Sequence, residues 1–600
     1  MSIVLSFVLI AMALSAFGWG FGLSTILKLR FQDRLEQVCT STFLGTAVLA
    51  SIVPLLGALG GLRRWPLAAI LVAGVGLVFA LSGRLIPRAP RTLMAPSEKA
   101  IVLALFVCAA GAFVGALAPI GFIDALTYHV FEAREYVRAG HLIDLPNIWQ
   151  SYQPISVEML YAWGIALVDD RMAPLVDWGL GALTLAATYL LARRRTNRLG
   201  GLIAAATFYC TAMTAWESTS CFVELGVALG LTASLFALLK WNDTDETAWL
   251  SVAGVMAGFA ASCKLTAVQV PVFLGIVIVY LSARHTRGVQ RTARALAIFG
   301  GLALAIVGPW YLRSFLLTGN PVYPFLPSVF GPNSTNGDVK QILDSYGSGK
   351  SPLNLLLSPW YLISQGGRTE NGQFLNPLPF LLAPVILWRC RRSWEFRSVL
   401  AVCLLWFVVW LKTAQIARYL LPIQPLAAVL VADAVTFLLL EGGVRRSIGT
   451  IAAVLFIGFS ALGGVLYDSQ FFPVVFGRES RDAYLARTSW YYPLYQQLNA
   501  ELPKGSRVLT DDAPTYYLDV PHTRLRNAEF AKGAAYVRDL IVKGHYTHVV
   551  VHNNPAVDAV MGALFPVAKR DWRRSYDLLV SRTFGGAVNV TATLYSVSLD

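Results

Sequence analysis

The sequence predicts an all-α polytopic membrane protein followed by a small α/β domain at its C-terminal end. Three observations carry this reading. Of the 600 residues, 56% are hydrophobic and 14% charged, where a soluble protein carries roughly a quarter charged. The deficit is concentrated in runs such as Ile101–Pro119, Leu199–Trp216 and Ala295–Leu312, and about 18 apolar residues suffice to cross a ~30 Å hydrocarbon layer. The basic residues stand in short clusters between these runs, not in one patch.

The length requirement gives about fourteen spans, near 3–28, 39–61, 66–84, 99–120, 172–193, 199–216, 221–240, 247–263, 265–283, 293–316, 376–389, 398–412, 418–440 and 447–467. The first apolar run lacks a basic leader, and Lys28 and Arg30 follow it. That order predicts a retained span with its N-terminus outside. Alternate loops then carry Lys28/Arg30/Arg34, Arg84/Arg88/Arg91, Arg193/Arg194/Arg195/Arg198, Arg284/Arg287/Arg291/Arg294, Arg389/Arg391/Arg392/Arg397 and Arg445/Arg446. This is the positive-inside pattern, and only the Arg63/Arg64 turn dissents. Three long hydrophilic segments, 121–171, 317–375 and 468–600, fall together on the opposite, extracytoplasmic side. The predicted organisation is three N-terminal helices (1–98), a core (99–467) and a soluble domain (468–600).

The net charge of +14 does not indicate nucleic acid, because it is divided among the loops. The seven cysteines lie in or beside apolar segments, with no C-x-x-C pair, so neither a disulfide framework nor a metal knuckle is expected. In the C-terminal segment, 507–510 and 547–552 read as short buried strands, and 528–543 and 554–564 as helices. No G-x-G-x-x-G or P-loop follows either strand, so nucleotide binding has no support.

The chemistry concentrates in GFIDALTYHVFEAREYVRAGHLIDLPNIWQSYQPISVEMLY, residues 121–161, directly after a span. Residues 125–138 predict an amphipathic helix shared by Asp124, His129, Glu132 and Glu135, with Leu126, Val130, Phe131 and Val137 on its apolar side. Asp124 would cap that helix or stand in its first turn. A second amphipathic helix is expected over 157–167, with Glu158 in its first turn.

The order D-A-L-T-Y-H, E-x-x-x-Y-x-x-x-G, Y-Q-P-x-x-x-E-x-L-Y resembles the first extracytoplasmic loop of GT-C glycosyltransferases. It is nearest the bacterial dolichyl-phosphate-mannose mannosyltransferase-like and aminoarabinose-transferase-like group. Cys263-Lys264-Leu-Thr-Ala, Pro309-Trp-Tyr-Leu-Arg313 with Gly319-Asn-Pro-Val-Tyr-Pro324, and Ala417-Arg418-Tyr419-Leu-Leu-Pro422 follow in the family's order. The resemblance covers about 99–440 and implies a GT-C-like core in the bacterial inner membrane. It also implies transfer of a hexosyl or pentosyl group from a polyprenyl-phosphate donor to an acceptor glycan, lipid or protein outside the cytoplasm.

The residue chemistry suits that implication. An acceptor hydroxyl needs a positioned base, and a departing phosphate needs cations. Asp124 is the candidate base, with a helix-capping carboxylate or a metal ligand as the alternatives. Glu224 is the assisting carboxylate and Glu217 its competitor. Lys264, Arg313 and Arg418 are the phosphate-binding candidates. An uncompensated charge beside apolar spans is costly, although snorkelling to headgroups would also place it. Tyr128, His129 and Tyr419 are expected around the sugar or the carboxylate, and Glu158 and Gln153 where the loop closes on the site. The glycine-rich segment 317–375 (Gly331, Gly337, Gly347, Gly349, Gly366, Gly367) is expected to cover the cavity. No metal or other cofactor is expected, and Asp243 and Asp245 fall on a cytoplasmic turn. A transporter or flippase would show inverted repeats and mid-membrane breaks, and no such repeat is visible. A surface-glycan polymerase or ligase shares the architecture but does not call for the Asp-Tyr-His loop.

Overall fold

The computed structural model describes residues 2–88, 93–331, 335, 346–365, 369, 374–511, 513–552, 554–565, 569–576 and 588–597. Arg91, Gly337, Gly366 and Gly367 of the expectations above lie outside them. The chain is helical through its first three quarters. The helices are α1 (Ser2–Ile26), α2 (Arg34–Ala58), α3 (Arg64–Ala80), α4 (Pro96–Gly115), α5 (Val130–Ala139), α6 (Ser156–Leu167), α7 (Met172–Arg193), α8 (Arg198–Tyr209), α9 (Ala212–Ser220), α10 (Glu224–Thr244), α11 (Thr247–Cys263), α12 (Gln269–Arg284) and α13 (Val289–Thr318). After segment 319–382 come α14 (Ala383–Arg392), α15 (Trp394–Lys412), α16 (Gln424–Glu441) and α17 (Gly443–Ser469).

Among the described residues, ten helices are long and apolar enough to cross a membrane, or eleven if the bent pair α8 and α9 is one span. Each of the fourteen expected spans has a helix, but three of these helices are too short for that test and one span is broken. The α8/α9 pair breaks by 63°. α3 and α11 reach only 17 residues, and α14 only ten. An apolar run records hydrophobicity but not where the backbone turns. The spanning assignment itself stands, and the protein is a multi-pass membrane protein.

α10 is enclosed on every side. Its neighbour α11 carries Gly254 and Gly258, where an added Cβ would lie 2.7 Å from the Phe299 and Ala303 carbonyl oxygens of α13. Small residues four apart allow two helices to approach backbone to backbone.

Charge gathers at both ends of the bundle. At one end the clusters found by the positive-inside pattern are neutralised: Arg193 by Asp33, Arg194 by Asp243 and Glu395, Arg198 by Glu98, and Arg389 by Asp433. Asp243 and Asp245 belong to this network, Asp245 pairing with Arg287 and Arg291. The dissenting Arg63/Arg64 turn lies at the other end, where Leu62 N–H donates to the Gly140 carbonyl at 3.0 Å.

The soluble domain holds a five-stranded sheet in the order β2 (His522–Arg524), β1 (Val508–Thr510), β3 (His548–His552), β5 (Val588–Ser596), β4 (Lys569–Tyr576). β1 pairs parallel with β2 and β3, and β5 antiparallel with β3 and β4. β1, β3 and the helices Ala534–Lys543 and Pro555–Leu564 match the expected elements. The domain is docked on loop 121–171: Tyr517 hydroxyl donates to the Ile120 carbonyl (2.6 Å), Arg524 to the Thr127 carbonyl (2.7 Å) and Tyr516 hydroxyl to Asp170 (2.8 Å).

Candidate active site

The chain leaves α4 and turns at once into a helical stretch that begins before α5. Residues Ala125–His129 form a π-turn, closed by Val130 N–H on the Ala125 carbonyl. Single π-turns occur often at functional sites. The wider turn brings residues five apart toward one face, so that Asp124 and His129 look into the same space. The expected uninterrupted amphipathic helix over 125–138 is corrected in this respect. The capping reading of Asp124 is corrected too: its backbone is helical (φ −64°, ψ −40°) and its carboxylate caps nothing.

Instead Asp124 Oδ2 accepts from Arg418 Nη2 at 2.6 Å. Burial alone would raise its carboxyl, but the charge and hydrogen bond of Arg418, with smaller contributions from His129 and Lys264, hold it below the usual carboxylate range. A quarter of its side chain stays accessible (25%), against 7% for Arg418. Arg418 comes from the 3-10 turn Ala417–Ile423 before α16, and its guanidinium carbon lies 4.5 Å from the Phe222 ring centre.

A second ion pair completes the group. Lys264 caps the end of α11 in an extended conformation, and Glu224 opens α10. Lys264 Nζ donates to Glu224 Oε1 at 2.5 Å and stands 3.9 Å over the Tyr419 ring. Asp124, Lys264, Glu224 and the adjacent Arg418 and Tyr419 therefore converge from four segments. Glu217, on α9, is wholly buried, and neither carboxylate oxygen has a hydrogen-bond partner among the described residues. Its electrostatic neighbours are Glu224, Arg418 and Lys264, so the competitor belongs to the same cluster.

Tyr128 packs on His129 at 4.1 Å between ring centres. His129 Nδ1 meets Glu158 Oε1 at 2.6 Å, with both side chains almost fully buried. Glu158 thus fixes the loop from within. The helix that carries it is buried continuously from Ser156 to Gly164, so the expected amphipathic character over 157–167 is corrected. Gln153 is half-buried just before it. Glu132, one turn beyond His129, is fully buried without a partner among the described residues. Burial, then the nearby Glu158 charge, push its carboxyl well above the usual range.

Arg313 does not join this group. Its guanidinium donates to the Ser151 carbonyl (2.5 Å), the Ile143 carbonyl (3.1 Å) and the Tyr136 hydroxyl (3.4 Å). It satisfies backbone oxygens of loop 121–171, which a cation placed by sequence order alone does not reveal. In segment 317–375, Ser348 N–H donates to Gln415 (3.0 Å), three residues before Arg418.

Two supports escape the sequence reading. Asp177, in the middle of the apolar run of α7, accepts the Phe222 N–H at 3.1 Å, and Tyr161 hydroxyl donates to the Phe222 carbonyl at 2.5 Å. They fix the chain break between α9 and α10, where Cys221 takes φ 58°. A carboxylate inside an apolar run is costly unless it has such a task, and that was the available signal. Among the described residues, no three His, Cys, Asp or Glu side chains are grouped to hold a metal ion.

Leu420 and Ile423, on the turn that carries Arg418, line an apolar cavity of about 380 Å³ together with Leu404, Phe407 and Leu375.

The family model for dolichyl-phosphate-mannose-protein mannosyltransferase matches residues 153–312, which include Glu158, Glu224 and Lys264. No curated protein sequence matches the chain. Among solved structures, ArnT from Cupriavidus metallidurans bound to undecaprenyl phosphate superposes with TM-score 0.54 at 15% identity, over 84% of this chain and 99% of that one. Its apo state gives 0.54 at 14% identity, over 83% and 98%. A looser likeness, TM-score 0.47 at 12% identity over 76% and 69%, is to the oligosaccharyltransferase of Archaeoglobus fulgidus. The chain is thus a polytopic membrane protein with the GT-C glycosyltransferase fold, in the arrangement it shares with ArnT.

Proposed function

We propose that the protein is an integral membrane glycosyltransferase that moves a sugar from a polyprenyl-phosphate donor to an acceptor hydroxyl at the extracytoplasmic face. One observation carries the reading. The turn Ala417–Ile423 presents Arg418 and Tyr419 to the charged cluster while Leu420 and Ile423 line the apolar cavity. A single ligand with an anionic head and a hydrocarbon tail satisfies both sides. Undecaprenyl phosphate, bound by the structurally similar ArnT, is such a molecule.

In this reading the donor phosphate lies at Lys264 and Arg418, and Tyr128 and Tyr419 flank the sugar. The acceptor oxygen gives its proton to Asp124 Oδ and attacks the anomeric carbon. The bond from that carbon to the phosphate oxygen breaks on the opposite side, so configuration inverts. The departing polyprenyl phosphate takes the electron pair and remains beside the two cations. No enzyme nucleophile is needed. The Arg418 pair keeps Asp124 ionised but weakens it as a base. Phosphate competition for the guanidinium would loosen the pair when the donor binds. Glu224 holds Lys264 ready for the donor, and Arg313 orders the loop instead of binding phosphate. The charge distribution supports the extracytoplasmic side, since the loop end of the bundle lies opposite the basic clusters.

The test is a transfer assay with the purified protein and a panel of radiolabelled polyprenyl-phosphate hexoses and pentoses, offered with total envelope glycolipid and protein as acceptors. At least one donor should lose its label to an acceptor with release of polyprenyl phosphate. Absence of transfer from every donor by a folded protein that also fails to bind polyprenyl phosphate would falsify the reading.

A further inference from the structure

The reaction steps make no use of the soluble domain beyond its docking, yet that domain borders two adjoining hollows. The first, about 510 Å³, lies along the helix Tyr492–Glu501. Tyr492, Gln496 and Asn499 follow one another at helical spacing and so share one face of that helix. Asp482, Tyr517 and Asp519 stand across from them. The second, about 480 Å³, shares Arg481 and Tyr517 with the first and continues toward the bundle. There its lining is mixed: Leu117 and Val474 join Asp169, Asp170 and Arg171.

The lining has the chemistry that a hydroxyl-rich chain requires. Carboxylates accept hydrogen bonds in pairs, and amides both donate and accept, which matches neighbouring hydroxyls. Tyr492 and Tyr517 meet edge to face at 5.1 Å and supply apolar faces for the C–H side of a ring. Several of these groups are already held in place. Tyr492 hydroxyl donates to Asp482 at 2.6 Å, Asp519 N–H donates to Asn499 Oδ1 at 2.9 Å, and Asn499 Nδ2 donates to the Tyr517 carbonyl at 3.0 Å. A ligand therefore meets ordered side chains and little further ordering is needed. The charge sets the class. Asp169, Asp170, Asp482 and Asp519 outnumber Arg171 and Arg481 along the two hollows, which opposes an anionic polymer.

We propose that the two hollows form one carbohydrate-binding groove for an uncharged or amino-bearing glycan, polar within the soluble domain and mixed polar and apolar where it meets the bundle. That this glycan serves as the acceptor rests on the glycosyltransferase reading. Binding itself needs neither donor nor Asp124, so the two can fail separately. The same chemistry reaches the groove from a lipid anchor or from a free polysaccharide.

The test uses the full chain in detergent micelles on a printed array of neutral, amino-bearing and acidic bacterial surface glycans, each printed with and without its native lipid anchor. Retention is expected on neutral or amino-bearing glycans. Retention of both printed forms identifies a polysaccharide ligand, and retention of the anchored form alone a glycolipid; either supports the groove. Ala500→Trp, which fills the first hollow from an exposed helical position, should weaken retention at least tenfold, and Asp124→Asn should leave it unchanged. If Ala500→Trp does not fold, the exposed pair Gln496→Ala and Asp519→Ala supplies the same reading. Retention of no glycan, of acidic glycans alone, or undiminished retention by a folded groove variant overturns the proposal.

Discussion

The two ends of the helical bundle are both rich in charge but use it differently. At the basic end nearly every cluster meets a carboxylate: Arg194 is shared between Asp243 and Glu395, Arg198 holds Glu98, and Lys240 meets Glu36 at 2.9 Å. These pairs join the ends of sequence-distant helices and leave no chemistry to perform. At the loop end the Asp124–Arg418 and Glu224–Lys264 pairs sit among aromatic rings, with Glu132 and Glu217 lacking partners among the described residues. Buried charges are costly to leave half-satisfied, and active sites are where such cost is retained. The contrast separates charge that is paired from helix to helix from charge that is buried and only partly satisfied among the described residues.

That contrast can be broken in order of expected effect. Asp124→Asn keeps the shape but removes the proton acceptor, so transfer should fall by about 10²–10⁴-fold, with polyprenyl-phosphate binding retained. A variant as fast as the parent in the transfer assay would sink the assignment. Lys264→Met should weaken polyprenyl-phosphate binding about tenfold or more, measured by titration in micelles. It also strands Glu224, which is 2% exposed, at about 3–5 kcal/mol of stability. Adding Glu224→Gln should recover the stability but not the affinity, and recovery of both would mean the pair is only structural.

Glu132 sharpens the comparison through pH. Its native carboxyl is raised, chiefly by burial, whereas an unfolded glutamate titrates near ~4.3. The native state binds the proton more tightly, so its contribution is full below the unfolded value and is lost as pH rises through the native one. The thermal midpoint should therefore fall as pH rises above the unfolded value, and Glu132→Gln should flatten that fall. An unchanged slope in the variant would show that the carboxyl does not titrate with folding. The smallest effect belongs to the basic end. Asp243→Asn removes an exposed partner of Arg194 while Glu395 remains, and should change stability by less than about 1 kcal/mol, with transfer unaltered.

Much of this was legible in the sequence because membranes impose a simple grammar. Apolar length marks spans, arginine clusters mark one face, and a cation or carboxylate at the far end of a span stands out; Asp124, Lys264 and Arg418 were singled out by such positions and by the family's motifs, and the fold gathers them at one end. The method failed where the answer depended on which backbone a side chain reaches. Arg313 shows the same signature as Arg418, yet it ends on two loop carbonyls. The π-turn is also invisible, because its sequence has ordinary helical character. Asp177 and Tyr161 act on the backbone of Phe222, and a contact across 45 residues leaves no periodic trace. In the soluble domain, the central strands Val508–Thr510 and His548–His552 are apolar and were found, whereas Lys569–Tyr576, with the sequence KRDWRRSY, gives no strand pattern.

The clamps on the π-turn have a consequence for how the protein is made. Asp124 is met by Arg418, 294 residues later, and the Thr127 carbonyl by Arg524, 397 residues later. A ribosome that has completed the first loop and most of the helices has therefore delivered Asp124 without either contact. Arg418 can reach Asp124 once the helical bundle is complete, whereas the Thr127 carbonyl is clamped only after the soluble domain has been synthesised and has folded against the loop.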